Sequence, residues 1–284
     1  MIFSRMARAL DVHVAGWPLR VLFDTAEGQA QETLKEKATR LWHGGHPPLR
    51  WLQHEPRGHA AMRIGVVTSS RNGDFGLMTF DSEGLCETDV MDALGASSAL
   101  TETGLRPACE GIVFETETGI IAVSEADGEN RRSAICRLTT SALASYSIIP
   151  ALDAGLSLQS HKAYVIEAYL RRLAGGGKKT VLTEKGGGSH IALASVGRDG
   201  GLLRAPHAGA VGAMLVKLSK EDAVPGKSYC FRGLAGGEVE GMLLSADEGS
   251  KERVWTLTAR ARLVASCEFV LDPQDTIGEG FLLR

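Results

Sequence analysis

His54-Glu55-Pro56-Arg57-Gly58-His59-Ala60-Ala61-Met62 is a short charged stretch that ends where an apolar run begins, and its reading decides the fold. It offers two histidines and a glutamate to a metal. The spacing does not suit zinc held on one helix face. A second histidine four residues after His54 would stand at position 58, which is Gly58, and Pro56 would break the helix. His43-Gly44-Gly45-His46 lies in a Gly/Pro loop with no third ligand in range. No metal is therefore expected. The block reads as a loop leading into a strand over Met62 to Val67.

Outside the block, bulk properties narrow the field. A chain of 284 residues suits one large domain or two of ordinary size, and 44% hydrophobic residues can bury a substantial core. The net charge of −3 gives no reason to expect nucleic acid or an acidic membrane surface as partner. Arg171-Arg172 and Lys178-Lys179 read as solvated faces. Five cysteines, an odd number without Cys-x-x-Cys spacing, fit a reducing compartment better than a disulfide framework. No run approaches 18 apolar residues, and the start of the chain carries charges where a secretory signal needs an apolar core. The expectation is a soluble cytoplasmic protein, monomer or homodimer.

Strand-like runs dominate the first half: Ala9 to Val14, Leu19 to Phe23, Met62 to Val67, Phe75 to Phe80, Ile112 to Phe114 and Gly119 to Val123. Glu27 to Trp42 reads as an amphipathic helix stopped by Gly44-Gly45. Asp89 to Thr103 reads as a second helix, with Asp89 as N-cap and Gly104 at the stop. The second half repeats the plan. His190 to Val196 and Leu202-Leu203 read as strands, followed by a helix from His207 to about Lys220 opened by Pro206. Strands over Ser228 to Arg232, Val239 to Leu244, Val254 to Leu257 and Glu268 to Leu271 complete it. Each half thus leads strands into a helix of small residues, which is expected to be buried. Gly175-Gly176-Gly177-Lys178-Lys179-Thr180 fails as a phosphate loop. Lys179 stands where Ser or Thr belongs and Arg172 where the first Gly belongs. It reads as a turn, as does Lys185-Gly186-Gly187-Gly188.

Four blocks resemble the proline racemase family, which includes 4-hydroxyproline epimerases and trans-3-hydroxyproline dehydratases. Asp11 to Arg20 resembles an Asp-x-His-Thr-x-Gly-Glu-Pro-x-Arg opening, with Val14 and Trp17 in place of Thr and Glu. Pro56-Arg57-Gly58-His59-Ala60-Ala61-Met62 resembles Pro-Arg-Gly-His-x-x-Met. Glu83-Gly84 and Ala99 to Gly104 bracket the place where the family reads Met-Cys-Gly-His-Gly-Thr and this chain reads Thr88-Asp89-Val90-Met91-Asp92-Ala93. Arg204 to Val211 resembles Arg-Ser-Pro-Cys-Gly-Thr-Gly-Thr. Phe269 to Pro273 and Gly280-Phe281 resemble the family's ending. Several site residues depart from the pattern: Met91 replaces a His and Leu203 an Asp, and an Ala-Tyr-Gly-Gly segment survives only as Ala168-Tyr169.

The resemblance implies an α/β (α+β) fold of two pseudo-symmetric domains, like diaminopimelate epimerase and proline racemase. Each is a mixed, largely antiparallel sheet wrapped around a central helix. The halves are expected at 1–157 plus 268–284 and at 158–267. It also implies a reaction at the α-carbon of a proline-like amino acid, without cofactor, between two catalytic residues at the helix starts. Those positions hold Asp89 and His207. Backbone amides at Val90, Met91, Ala208 and Gly209 are then the expected seat of the substrate carboxylate.

Helix-end electrostatics disfavours a two-base racemase built on this pair. A helix N-terminus favours negative charge, so Asp89 should be a base at neutral pH and His207 a neutral base also, with no acid opposite. The two could instead share a proton. A one-base isomerisation or elimination with His207 taking the proton is open. So is a catalytically inactive homologue that acts as a binding or subunit-partner protein, in which Asp89 is only a cap. A carboxylate sensor is a third reading. Cys86 could substitute as a thiol or simply pack in the strand before Asp89.

Overall fold

The computed structural model describes residues 5–24, 32–43, 49–107, 111–127, 131–173, 179–197, 200–221, 226–245 and 251–283. Gly44, Gly45, His46, Cys109, Gly175 to Lys178 and Pro225, which entered the sequence reading, lie outside them. The chain divides into two compact units. One holds residues 1–13, 18–124 and 261–284, and the other 14–17 and 125–260. The changes of unit at 124/125 and 260/261 differ from the boundaries expected at 157/158 and 267/268. The reason is that the strand after residue 130 pairs with residues 252–260 of the second unit.

The first unit contains β1 (Arg5–Val14), β2 (Trp17–Phe23), α1 (Leu34–His43), α2 (Arg50–Gln53), β3 (Arg63–Thr68), β4 (Phe75–Asp81), β5 (Gly84–Cys86), α3 (Val90–Glu102), β6 (Ile112–Thr116) and β7 (Gly119–Glu125), except the strand-end residues Val14, Trp17 and Glu125, which belong to the second. Strand β3 pairs parallel with β2 and antiparallel with β4. Strand β4 also pairs antiparallel with β5 and parallel with β6, and β6 pairs antiparallel with β7.

The second unit contains β8 (Arg131–Thr139), α4 (Thr140–Ala144), β9 (Tyr146–Pro150), α5 (Ala163–Leu173), β10 (Lys179–Lys185), β11 (His190–Val196), β12 (Leu202–Leu203), α6 (Ala208–Lys220), β13 (Ser228–Gly233), β14 (Glu238–Ser245) and the first part of β15 (Glu252–Leu271). Its pairings repeat those of the first unit in order. Strand β10 is parallel to β9 and antiparallel to β11, and β11 is antiparallel to β12 and parallel to β13. Strand β13 is antiparallel to β14. The duplication read from the sequence is therefore a duplication of strand pairing, with α3 and α6 in equivalent places.

Both helices are central to their units. In α3 every residue from Met91 to Leu100 is buried. Two of its hydroxyls bond back within the helix: Ser97 Oγ donates to the Leu94 carbonyl at 2.9 Å and Thr101 Oγ to the Ser97 carbonyl at 3.0 Å. In α6 the residues Ala208 to Leu215 are buried. A Cβ built on Gly212 would come within 2.4 Å of the Trp255 ring, so a strand side chain takes the space that a side chain at 212 would need.

Three expectations are corrected. Residues 27–31 of the helix expected over Glu27 to Trp42 lie outside the described residues, and within these the helix starts at Leu34. Thr33 Oγ accepts from the Glu36 amide at 3.2 Å, and the Glu36 carboxylate accepts from the Thr33 amide at 2.8 Å, a capping box that sets the boundary. Val254 to Leu257 and Glu268 to Leu271 are one strand, β15, because no Gly or Pro interrupts 252–271 and Trp255, Leu257, Ala259 and Ala261 keep burying every second residue. Helix α5 and strands β8, β9 and β10 were not read. Lys179 and Thr180, taken as part of a turn, open β10.

Candidate functional site

The block that opened the sequence reading is a structural tie within the first unit. Arg20, 4% exposed, binds Asp11 through both carboxylate oxygens at 2.7 and 2.8 Å. It also donates to the Arg57 carbonyl at 2.6 Å. Arg57 in turn donates to the carbonyls of Gly278 at 2.8 Å and Val270 at 3.1 Å, and its guanidinium covers the Trp51 ring. The Glu55–Pro56 peptide is cis. Gly58 is required, since a Cβ there would lie 2.1 Å from the Gln53 carbonyl oxygen. Arg20 and Arg57 thus join β1, β2, α2 and the C-terminal segment. His54 is buried while His59 is exposed. Burial, then the nearby Arg50 charge, lowers the His54 pKa. Among the described residues no group of three His, Cys, Asp or Glu is placed to hold a metal.

Asp89 is the N-cap of α3, with extended backbone (φ −78°, ψ 153°). Its Oδ1 accepts from the Met91 amide at 2.9 Å. Asp92 closes the box by accepting from the Asp89 amide at 2.9 Å. Asp92 is fully buried and is held by Arg63, whose Nε and one terminal nitrogen reach its two oxygens at 3.0 and 2.7 Å. Burial works most strongly against the Arg63 charge, but Asp92, Cys86 and Asp89 together outweigh it and the guanidinium pKa is raised. One residue before the cap, Thr88 donates its amide and its hydroxyl to Glu117 at 2.6 and 3.0 Å. Burial pushes the Glu117 carboxyl up, against those hydrogen bonds. Cys86 ends β5 with its thiol on the Thr79 carbonyl, and burial raises its pKa, so it packs as a small apolar residue. The start of α3 therefore meets its positive end with its own carboxylates. The Met91 amide, expected to receive a substrate carboxylate, already serves Asp89, and Val90 beside it is half-buried.

His207 is the N-cap of α6 (φ −125°, ψ 159°) and makes no side-chain cap hydrogen bond. Two rings flank its imidazole: Trp17 with centroids 6.3 Å apart, and Tyr146 with centroids 6.0 Å apart. Trp17 arrives from a tight turn at Ala15-Gly16 (φ 52° and 88°) that belongs to the second unit. Gly237 makes room for it, since a Cβ there would lie 2.1 Å from the Ala15 carbonyl oxygen. Tyr146 arrives from the first residue of β9. A Cβ on Gly209 would lie 2.0 Å from its hydroxyl oxygen, so the phenol rests against the first turn of α6. Ala208 and Gly209 are buried beneath. Lys179 Nζ stands 5.3 Å from the Tyr146 ring centroid.

Sequence reasoning placed both helix starts and missed the side chains around them. Asp92 was legible as the fourth residue of an Asp-x-x-Asp capping pattern. Arg63 and Glu117 carry no local signal, because each reaches the helix from a strand or turn distant in sequence. Tyr146 had one indirect signal, the glycine at 209 where the resembled motif has a threonine.

Comparison with known proteins agrees with this architecture. No family model matches the chain. It is 31% identical over 126 residues to a proline racemase of Acetoanaerobium sticklandii, a match that covers 43% of this chain and 38% of that enzyme. It is 24% identical over 341 aligned positions to a trans-3-hydroxy-L-proline dehydratase of Bacillus thuringiensis subsp. konkukian, covering all of both. The crystal structure of a hydroxyproline epimerase from Agrobacterium vitis with bound trans-4-hydroxy-L-proline superposes with a TM-score of 0.77 at 17% identity, over 100% of this chain and 96% of that one. The chain shares that fold.

Proposed function

We propose that this chain, a homologue of proline racemases and of a trans-3-hydroxyproline dehydratase, is a cofactor-independent isomerase or lyase that takes the α-proton from a proline-like amino acid, with His207 as the base. The observation that carries the reading is the place of His207: it starts the buried central helix of the second unit, under Trp17 and Tyr146, in a chain that aligns end to end with a dehydratase. A positive helix end opposes an imidazolium and favours the neutral imidazole, the form able to accept a proton. The same helix end attracts an anion, so the substrate carboxylate is assigned to the Ala208 and Gly209 amides. Asp89 is assigned to capping, because its carboxylate is held by the Met91 amide. Removing the α-proton is the first step of racemisation, epimerisation and dehydration alike. The carbanion is then reprotonated, or its electron pair forms the Cα–Cβ double bond as a β-hydroxyl leaves as water.

The test is α-proton exchange in deuterated water, followed by NMR with L-proline and the 3- and 4-hydroxyproline isomers. Exchange is expected in the natural protein, and His207→Ala should lower it by about 10²–10⁴-fold. The closure of α3 on its own carboxylates favours a second reading, a catalytically inactive homologue that binds a ligand or a partner subunit. Absence of exchange across the panel would favour that reading and sink the first.

A further inference from the structure

We infer that Tyr146 is the acid that works with His207. This rests on the assignment of His207 as the base. The two side chains come from separate elements, β9 and the α6 start, yet their ring centroids are 6.0 Å apart. The phenol oxygen stands where a side chain at 209 would begin, so it lies in the first turn of α6 where the substrate carboxylate is assigned. Two features favour the negative charge the oxygen takes on when it gives up its proton. One is the positive end of α6. The other is the Lys179 ammonium, 5.3 Å from the ring centroid. The glycine at 209 is what admits the phenol, since any larger residue would collide with it.

The cycle balances. His207 takes the α-proton and becomes an imidazolium. The Tyr146 O–H bond breaks, and its proton goes to the hydroxide that leaves the β-carbon as the Cα–Cβ double bond forms. The phenolate then takes back the proton held on His207, and both groups return to their starting forms. A base and an acid thus sit on one helix start, where helix-end electrostatics alone supplies only a base.

Tyr146→Phe tests this, because it keeps the ring and removes the proton. Exchange of the α-proton with solvent and net conversion are measured on the same samples, with the thermal midpoint as a check on folding. The expected result is exchange within about threefold of the natural protein, conversion lowered at least tenfold, and a nearly unchanged midpoint. A purely structural phenol would lower both rates together or neither, and either outcome would overturn the inference while leaving His207 as base. Absence of exchange in the natural protein would overturn both. If Tyr146→Phe fails to fold, Tyr146→3-fluorotyrosine, which is nearly isosteric and more acidic, replaces it. A shift of the alkaline limb of the conversion profile to lower pH then supports the inference, and an unmoved limb overturns it.

Discussion

At the start of α3 one carboxylate caps the helix, and a second, buried with Arg63, closes the box around it. At the equivalent start of α6 a histidine stands under two aromatic rings and makes no side-chain cap hydrogen bond. Aligned from their caps, Asp89 matches His207, Met91 matches Gly209, Asp92 matches Ala210 and Leu94 matches Gly212. Helix α3 fills its own surroundings, since Met91, Asp92 and Leu94 are all fully buried. Helix α6 leaves space, and strand side chains occupy it: Tyr146 at Gly209 and Trp255 at Gly212. One topology has thus been completed in two ways. A helix start satisfied by its own side chains has its donors engaged and little left to offer a ligand. A helix start completed by side chains from other elements instead has a titratable ring packed against them.

The largest effect that tests this contrast lies on the α3 side. Asp92→Ala removes one partner of a buried ion pair and half of the capping box, and it leaves the Arg63 side chain, 16% exposed, without its carboxylate. A loss of about 3–5 kcal/mol is expected from urea unfolding. Adding Arg63→Met to the same chain should recover a large part of it, because an apolar pair can replace a buried ionic one. If the double variant were no better than the single one, the ion pair would not be what holds this helix start together. Next in size is the pair of cap substitutions. Asp89→Ala should cost about 1 kcal/mol, the usual worth of an N-cap side chain. His207→Ala should cost less, since His207 makes no such bond. Equal costs would mean that the histidine serves its helix as the aspartate does, and the contrast between the two starts would fail.

Much of this was legible in the sequence, and the pattern of what was missed is physical. Helices α3 and α6 were read to within one residue at most boundaries, because caps and stops are local signals: Asp89 before an apolar run, Pro206 before another, Gly104 after the first. The duplicated strand order was legible for the same reason. What surrounds each helix start was not. Arg63 meets Asp92 from 29 residues away and Glu117 meets Thr88 from 29 residues away, and no periodicity marks such partners. Tyr146 lies 61 positions before His207 in a strand whose own pattern was not recognised. Thr33-x-x-Glu36 is a local signal of the same kind, and the boundary it sets lies inside the stretch read as helix from Glu27. The Arg57 block pointed to the fold because it ties the scaffold together.

Glu117 gives the smallest effect and separates the two helix starts by pH. Burial raises its pKa above the ordinary 4.5, although hydrogen bonds from its own backbone and from Thr88 oppose the rise. The folded protein therefore holds the Glu117 proton more tightly than the unfolded chain does. That contribution to stability is fully present below the ordinary carboxylate value and is lost as pH rises through the raised folded value. Glu117→Gln abolishes it and keeps an oxygen to accept from Thr88. The stability of the natural protein relative to the variant, measured by urea unfolding, should accordingly fall as pH is raised from about 4 towards neutrality. At the equivalent turn of the second unit, between β13 and β14, the sequence Leu234-Ala235-Gly236-Gly237 has no carboxylate, so that turn holds no counterpart of Glu117. A relative stability flat across that range would show that Glu117 titrates like a solvated glutamate. The carboxylate shell around Asp89 would then be more open to water than that around a closed helix start should be.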